Sequence, residues 1–139
     1  MTVRKPTEIV NEFWQKVWSE KNPAAADHLV AEDFHITSGG VVIGPREEFK
    51  AWVRQFLDSI NDFKFEVLEI FQNEEGNRVV TRWVVTGKNN GLMGFEPCQS
   101  PIHMTGTAII HVRDDGLLQH NWVERNALEV HRNLASNKT

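Results

Sequence analysis

The second half of the chain carries four consecutive strand-like segments, and this pattern restricts the fold more than any other feature. The segments span 63–71, 78–88, 102–112 and 117–126, and they are alternating or rich in β-branched residues. Their connections contain Glu-Glu-Gly-Asn, the loop 89–101 and Arg-Asp-Asp-Gly, which are residue types that favour turns. The sequence therefore predicts a four-stranded meander.

The first half reads mainly as helices. Apolar residues recur at helical spacing in 6–21 and again in 44–60, which predicts two amphipathic helices. A short helix capped by Asn22 lies between them, followed by a small hairpin over 32–44. Helices that all pack on one face of a single sheet make that sheet curl around them.

We therefore predict an α+β fold, a cone-shaped barrel whose strongly curved, mostly antiparallel sheet wraps around three N-terminal helices. The length of 139 residues predicts one domain over 1–139. Residues 127–134 predict one or two closing helical turns, and the tail over about 135–139 is expected to fray.

Composition excludes several classes of function. The net charge of -4 comes from interspersed acidic and basic residues, which argues against a nucleic-acid partner. No stretch approaches the roughly 20 consecutive apolar residues of a membrane span, so no membrane association is predicted. The single cysteine, Cys98, fits a reducing cytoplasm. Phosphate loops, zinc spacings and nucleophile elbows are absent from the sequence, so we predict no metal and no cofactor.

The last predicted strand, in QHNWVERN, has an informative alternation. His120, Trp122, Glu124 and Asn126 share one face, and the intervening residues share the other. If the first face points inward, Glu124 lies in apolar surroundings that raise a carboxyl pKa toward that of a general acid or base. The alternative is a structural ion pair between Glu124 and an arginine such as Arg82.

Two histidines are further candidates for proton transfer. His120 lies four residues before Glu124 on the same face, too far for contact within one strand but suited to a relay across a cavity mouth. His35 lies on the small hairpin, where it would rim a pocket. The alternative for each is an ordinary packed or solvated histidine.

The aromatic residues are unusual, with five tryptophans, eight phenylalanines and no tyrosine. They either fill a core or form the wall of a wide apolar cavity. Periodicity leaves open which face of the 77–88 strand would line that cavity. Together with His35 and Glu124, the predicted lining residues are Trp14, Trp18, Trp52, Phe56, Trp83, Asn89, Trp122 and Asn126.

The chain resembles the SnoaL-like polyketide cyclases of the nuclear-transport-factor-2-like superfamily. The resemblance rests on the aromatic first helix and on EDFHITSGGVVIGPREEFKAWV, RWVVTGKNNGLMGFEP, TGTAIIHVRDDG and NWVERNALEVHRNL. It implies an open, largely apolar cavity and a homodimer formed through the sheet. It also implies a small apolar or aromatic carbonyl ligand, or a polycyclic one, handled without metal or organic cofactor.

The chain departs from the family at three positions that the resemblance implies should titrate. Asn126 stands where the cyclases have an aspartate, Asn89 stands where they have a histidine, and a further histidine would fall near Thr37. These side chains hydrogen-bond but do not accept a substrate proton at neutral pH. They can still hold a carbonyl or enolate, so Thr37 joins the predicted ligand-binding residues.

Two hypotheses of function follow. In the first, the protein is a cofactor-independent enzyme in which Glu124, with His120 or His35, moves protons during aldol-type cyclisation, isomerisation or hydration of a carbonyl compound. In the second, it is a non-catalytic carrier or sensor that keeps the fold without the acid/base groups. Inward Glu124 favours the first hypothesis, whereas Asn126 and Asn89 favour the second.

Overall fold

Six strands form one mixed sheet in the computed structural model, which describes residues 4–136. The strands are β1 (Val30–Ser38), β2 (Val41–Ile43), β3 (Ile60–Gln72), β4 (Arg78–Asn89), β5 (Pro101–Val112) and β6 (Leu118–Arg125). They lie in the order β2-β1-β6-β5-β4-β3. Strands β3 to β6 form the predicted antiparallel meander, and β1 pairs with β6 in parallel. The predicted α+β fold is confirmed.

Four helices accompany the sheet in the described residues, namely the three N-terminal helices and the closing helix over the predicted helical turns. They are α1 (Pro6–Phe13), which continues in π-helical geometry over Trp14–Ser19, α2 (Ala26–Leu29), α3 (Arg46–Asp58) and α4 (Ala127–Ser136). The short α2 follows a 3-10 turn, Pro23–Ala25. The fraying predicted from residue 135 is wrong for 135 and 136, because α4 includes both. Residues 137–139 lie outside the described residues.

The core lies between α1, α3 and one face of the sheet, which we call the inner face. Phe13, Phe34 and Phe49 are fully buried there. Phe34 and Phe49 meet edge to face with ring centroids 4.9 Å apart, and Phe13 stacks on Phe49 at 6.1 Å. Burying each of these side chains stabilises the fold by about 1.5–3 kcal/mol. The aromatic cluster therefore fixes the helices against the sheet.

A bulge in β6 decides which side chains of that strand point inward. Leu118 pairs with Val112, but the next pair is His120 with His111, so Gln119 is an extra residue on β6. The bulge reverses the alternation of the strand. Leu118 is fully buried on the inner face, whereas His120 lies on the opposite face, which we call the outer face.

Candidate ligand-binding site

A narrow cavity lies between the helices and the inner face of the sheet, and we call it the inner cavity. Its volume is about 40 Å³, which leaves room for only a few atoms. Of the two alternatives for the aromatic residues, the structure favours core filling over a wide cavity, because the aromatic side chains occupy most of the space. The lining residues are Trp14, Trp18, Ile36, Ser38, Trp52, Phe56, Phe65, Trp83, Val85, Asn121, Val123 and Arg125.

Aromatic rings in mutual contact form most of the wall. Trp18 meets Trp52 at 6.0 Å and Phe56 at 5.7 Å, both edge to face. Phe65 stacks between Trp14, at 5.2 Å, and Trp83, at 5.9 Å. Edge-to-face and offset-stacked pairs are the arrangements that aromatic rings prefer. The wall is therefore suited to flat apolar groups, and a whole ring can enter only if side chains of the wall move apart.

Two buried polar atoms on the wall lack a hydrogen-bond partner within residues 4–136, namely Trp83 Nε1 and Asn121 Oδ1. Trp83 is only 7% exposed and Asn121 only 2%. The neighbouring Trp14, in contrast, donates from Nε1 to Thr81 Oγ1 at 3.0 Å. Leaving a buried donor or acceptor unpaired costs about 1–3 kcal/mol. Two residues of the cavity wall thus carry an unpartnered polar atom, one a donor and one an acceptor.

Arg125 brings a positive charge to the same wall. Its guanidinium lies 5.9 Å from the centre of the Phe56 ring, and Nη1 lies 3.8 Å from Met104 Sδ. Within the described part of the chain it forms no ion pair with a carboxylate. Burial lowers the pKa of the Arg125 guanidinium, but an arginine keeps its charge in proteins.

An open cleft adjoins the inner cavity, and we call it the rim cleft. It lies between α3 and the 3-10 turn Leu92–Gly94 and has a volume of about 310 Å³. Trp52, Phe56 and Arg125 line both spaces. Arg125 therefore stands where the inner cavity meets the rim cleft, and a ligand that enters through the cleft passes the guanidinium.

Asn89, predicted to bind ligand, instead organises the loop beside the rim cleft. Its Oδ1 accepts hydrogen bonds from the backbone N–H groups of Gly91 at 2.9 Å and Leu92 at 2.8 Å. Its Nδ2 donates to the carbonyl oxygen of Glu96 at 2.7 Å and to Cys98 Sγ at 3.3 Å. The predicted placement on the cavity wall is wrong, because the loop uses the whole hydrogen-bonding capacity of the amide.

The face of β6 that the sequence predicted to line the cavity is in fact the outer face of the strand. Trp122 is 40% exposed and Glu124 is exposed, so their placement on the cavity wall is wrong. His120 stacks on Trp122 with centroids 4.1 Å apart, outside the inner cavity. The proposed pair between Glu124 and Arg82 is absent as well, since Arg82 Nε bonds Glu69 Oε1 at 2.7 Å. The bulge at residue 119 is the reason why Trp122 and Glu124 point outward, because it reverses the alternation of β6.

The β1 candidates also lie on the outer face. Thr37 Oγ1 and His120 Nε2 are 2.8 Å apart, and the rings of His35 and His120 are 6.3 Å apart. Burial, and secondarily the charge of His35, lowers the pKa of His120 and favours its neutral form. The placement of His35 and Thr37 on the cavity wall is wrong, because Ile36 and Ser38 occupy the inner positions of β1.

Asn126 lies at the junction of β6 and α4 rather than in the inner cavity. Its Oδ1 accepts from the Thr105 N–H at 3.0 Å, and its Nδ2 donates to Glu129 Oε1 at 2.7 Å. Its carbonyl oxygen accepts from the N–H of Val130 at 3.0 Å. The predicted cavity position is wrong, since these bonds hold the start of α4 against β5.

Five predicted residues do line the inner cavity: Trp14, Trp18, Trp52, Phe56 and Trp83. Their part in ligand binding stays a prediction. Strand β4 thus turns the face of Trp83 inward, which the sequence left open.

The sequence reasoning missed Asn121 and Arg125, the two polar inner-face residues of β6. The burial alternation of β5, which buries Ala108 and Ile110, identifies the inward residues only once the register of β5 with β6 is known. Among residues 4–136, no three His, Cys, Asp or Glu side chains are grouped to hold a metal ion. No helix in that part of the chain is long and apolar enough to cross a membrane.

Comparison with known proteins gives the same fold. The family model described as SnoaL-like polyketide cyclase matches residues 8–134. A candidate polyketide cyclase from Acidithiobacillus ferrooxidans is 23% identical, with a TM-score of 0.82 over 99% of this chain and 100% of the other. A candidate SnoaL-like polyketide cyclase from Jannaschia sp. CCS1 is 14% identical, with a TM-score of 0.85 over the same shares.

IdmH from Streptomyces antibioticus, a candidate polyketide cyclase, is 23% identical, with a TM-score of 0.77 over 95% of this chain and 99% of the other. No curated protein matches the chain. The structural matches establish the fold, and the family model spans nearly the whole sequence. The chain therefore belongs to the SnoaL-like polyketide cyclase family.

Proposed function

We propose that the protein binds a small planar carbonyl compound with its carbonyl end in the inner cavity, whose wall side chains move apart to admit it. The observation that carries the proposal is the pair of unpartnered polar atoms, Trp83 Nε1 and Asn121 Oδ1, within an aromatic wall. A ligand carbonyl oxygen would accept a hydrogen bond from the indole N–H, and a ligand hydroxyl would donate to the amide oxygen. An apolar wall with few polar groups is the usual form of a small-molecule site.

The chemistry available in the inner cavity is charge stabilisation rather than proton transfer. None of the described residues that line it is an Asp, Glu or His. Binding is therefore the function that the site supports best, as in a carrier or sensor. The Arg125 charge favours a second candidate, which is aldol-type cyclisation, isomerisation or hydration through an enolate. Water entering from the rim cleft would take the substrate proton, since the described lining has no base, and the arginine and the Trp83 N–H would stabilise the negative oxygen.

Ligand binding can be tested through Trp83. The inner face of β5 carries Gly106 opposite Trp83, and a Cβ at that position would overlap the six-membered ring of the indole. We expect aromatic ketones to change tryptophan emission and raise the Tm of the wild type. Gly106→Ala should displace the indole and weaken that binding, and it should also lower the Tm of the unliganded protein, since overpacking costs about 1–3 kcal/mol of stability.

Thr107→Ala is the matched control, because it alters the exposed outer face of the same strand and should bind like the wild type. A broad ketone panel that changes neither emission nor Tm of the wild type would contradict the proposed function. The second candidate additionally requires turnover of a diketone substrate, measured by product formation.

The proposal extends to a homodimer formed through the outer face. Phe71, Val80, Ile109, Trp122 and Val42 belong to one row across the sheet, which we call the apolar band. Phe71 is 51% exposed, Ile109 is 41% exposed and Val42 is 60% exposed. Thr37 lies in the same row between Trp122 and Val42, and an exposed, mainly apolar band of this kind is typical of an interface.

The apolar band itself favours a second copy as the occupant. A two-fold axis along the band places the same apolar side chains of two copies against each other, so the surface is self-complementary. Arg78 and His111 flank one side, with the Arg78 guanidinium 5.6 Å from the Trp122 ring centre. Glu69, Arg82 and Glu124 flank the other side, where Arg82 pairs with Glu69 of its own chain, so Glu124 is the carboxylate left to face the second copy.

We expect the wild type to be a dimer at micromolar concentration by size-exclusion chromatography with light scattering. Ile109→Glu should weaken dimerisation more than about tenfold, because it places an unpaired charge in the buried centre of the interface. Leu128→Glu is the control, as Leu128 is also exposed but lies on α4. A monomeric wild type, or a dimeric Ile109→Glu protein, would refute this interface.

A further inference from the structure

We propose that Arg125 is an anion-binding subsite and that the ligand is a planar carbonyl compound carrying a carboxylate. This inference rests on the proposed function, since it names the class of ligand for the same site. It assigns the two ends of the ligand to different places. The neutral carbonyl end lies in the inner cavity, and the carboxylate lies at the junction with the rim cleft.

The environment of the guanidinium is the first argument. Arg125 is half-buried, and its guanidinium lies beside the Phe56 ring and the Met104 thioether. In the described chain no acidic side chain pairs with it, and Glu124, its neighbour in sequence, projects from the other face of β6. A charge held in apolar surroundings without a partner is unfavourable. An anionic ligand group would supply the missing partner.

The location of Arg125 between the two spaces is the second argument. Arg125 lines both the inner cavity and the rim cleft, and so do Trp52 and Phe56. A guanidinium presents a planar fork of N–H donors that binds a carboxylate through two parallel hydrogen bonds. Trp52 and Phe56 cover part of the space around it, and partial removal from water strengthens such a pair. The junction therefore has the donor geometry that carboxylate recognition uses.

The unpartnered atoms deeper in the inner cavity are the third argument. Trp83 Nε1 and Asn121 Oδ1 are both buried and lack partners in the part of the chain described. Neither atom is charged, so they suit a carbonyl and a hydroxyl rather than a second anion. Arg125 is the only cationic residue of the described cavity lining. The site thus distinguishes one neutral end of the ligand from one anionic end.

The test compares matched ligands that differ in charge. The probes are 4-acetylbenzoate, its methyl ester, and 1,3-cyclohexanedione, whose ionised enol carries the negative charge without a carboxylate. Binding is followed by titration calorimetry at neutral pH. The wild type should bind 4-acetylbenzoate about 10- to 100-fold more tightly than the ester, the range for a hydrogen-bonded charged group. If the dione bound more tightly than 4-acetylbenzoate, the group that Arg125 prefers would be an enolate and not a carboxylate, and the proposal would be overturned.

Three arginine variants distinguish a loss of the charge that binds the ligand from a loss of folding stability. Arg125→Met should abolish the preference for the acid over the ester and should not lower the Tm, because it removes an unpaired charge from an apolar site. Arg125→Lys should retain part of the preference, since it keeps the charge but loses the fork. Arg54→Met, on the exposed side of α3, is the control and should behave like the wild type.

The outcomes also distinguish this inference from the proposed function. Equal and measurable binding of acid and ester by the wild type would overturn the subsite while the proposed function stands. An unchanged preference in Arg125→Met would also overturn it. Absence of binding for all three probes and for neutral ketones would overturn both the subsite and the proposed function.

Discussion

Replacing Asn89 by alanine is expected to lower the free energy of unfolding by about 3 kcal/mol, because several buried hydrogen bonds would be lost at once. The side chain is fully buried. Its oxygen accepts from the N–H groups of Gly91 and Leu92, and its nitrogen donates to the carbonyl oxygen of Glu96. Alanine leaves these backbone groups unpaired in a place where Leu92 is also buried. Urea unfolding followed by tryptophan emission measures the change.

Two further variants make the test of Asn89 specific. Asn90→Ala removes an exposed amide that donates to the carbonyl oxygen of Asp58 at 3.0 Å and accepts a long hydrogen bond from Gln99 Nε2 at 3.5 Å; because both bonds are exposed, it should cost less than about 1 kcal/mol. Asn89→Asp keeps both acceptor bonds but loses both donors and buries a carboxylate, so it should also be strongly destabilising. Equal losses for Asn89→Ala and Asn90→Ala would show that the loop does not depend on this side chain.

The general architecture could be predicted from the sequence because it depends on local periodicity. Alternation identified the meander, and helical spacing identified α1 and α3, since both patterns are properties of consecutive residues. The parallel pairing of β1 with β6 was not predicted. It joins the hairpin to the last strand, between positions such as His35 and His120. Long-range pairing of this kind leaves no periodic signal in either segment.

The candidate site was largely mislocated on β6 because alternation separates two faces without saying which is inner. Leu118 continues in phase with His120 and Trp122, so a regular strand would bury all three. The bulge at Gln119 instead places Leu118 inside and Trp122 outside. Nothing in the residue types around 119 signals an extra residue, so this error could not be avoided from the sequence alone.

The sequence also does not tell which polar atoms of the cavity wall stay without a hydrogen-bond partner. Trp83 and Trp14 are both inward-facing indoles, yet only Trp14 finds an acceptor, in Thr81. The difference depends on where one hydroxyl lies in space. The sequence predicts an aromatic wall, but which of its N–H groups stays free for a ligand is a property of the packed structure.

Replacing Trp18 by alanine is expected to lower the free energy of unfolding by about 3–5 kcal/mol, the range for deleting a large buried aromatic side chain. Trp18 is 7% exposed. It contacts Trp52 and Phe56 edge to face and stacks on Phe63 and Phe65 at 6.2 and 6.3 Å. Its removal would therefore take one partner from each of four aromatic rings. Thermal and urea unfolding measure the loss.

The same variant tests whether the space left by the indole becomes continuous with the inner cavity, which Trp18 lines. Apolar cavities made by deleting large side chains bind small aromatic molecules, so free indole should raise the Tm of Trp18→Ala more than that of the wild type. Trp18→Phe is the matched control, because a phenyl ring keeps most of the contacts and leaves no room for indole. A Trp18→Ala protein as stable as the wild type, or one whose Tm does not respond to indole, would show that the ring is not a structural part of the cavity wall.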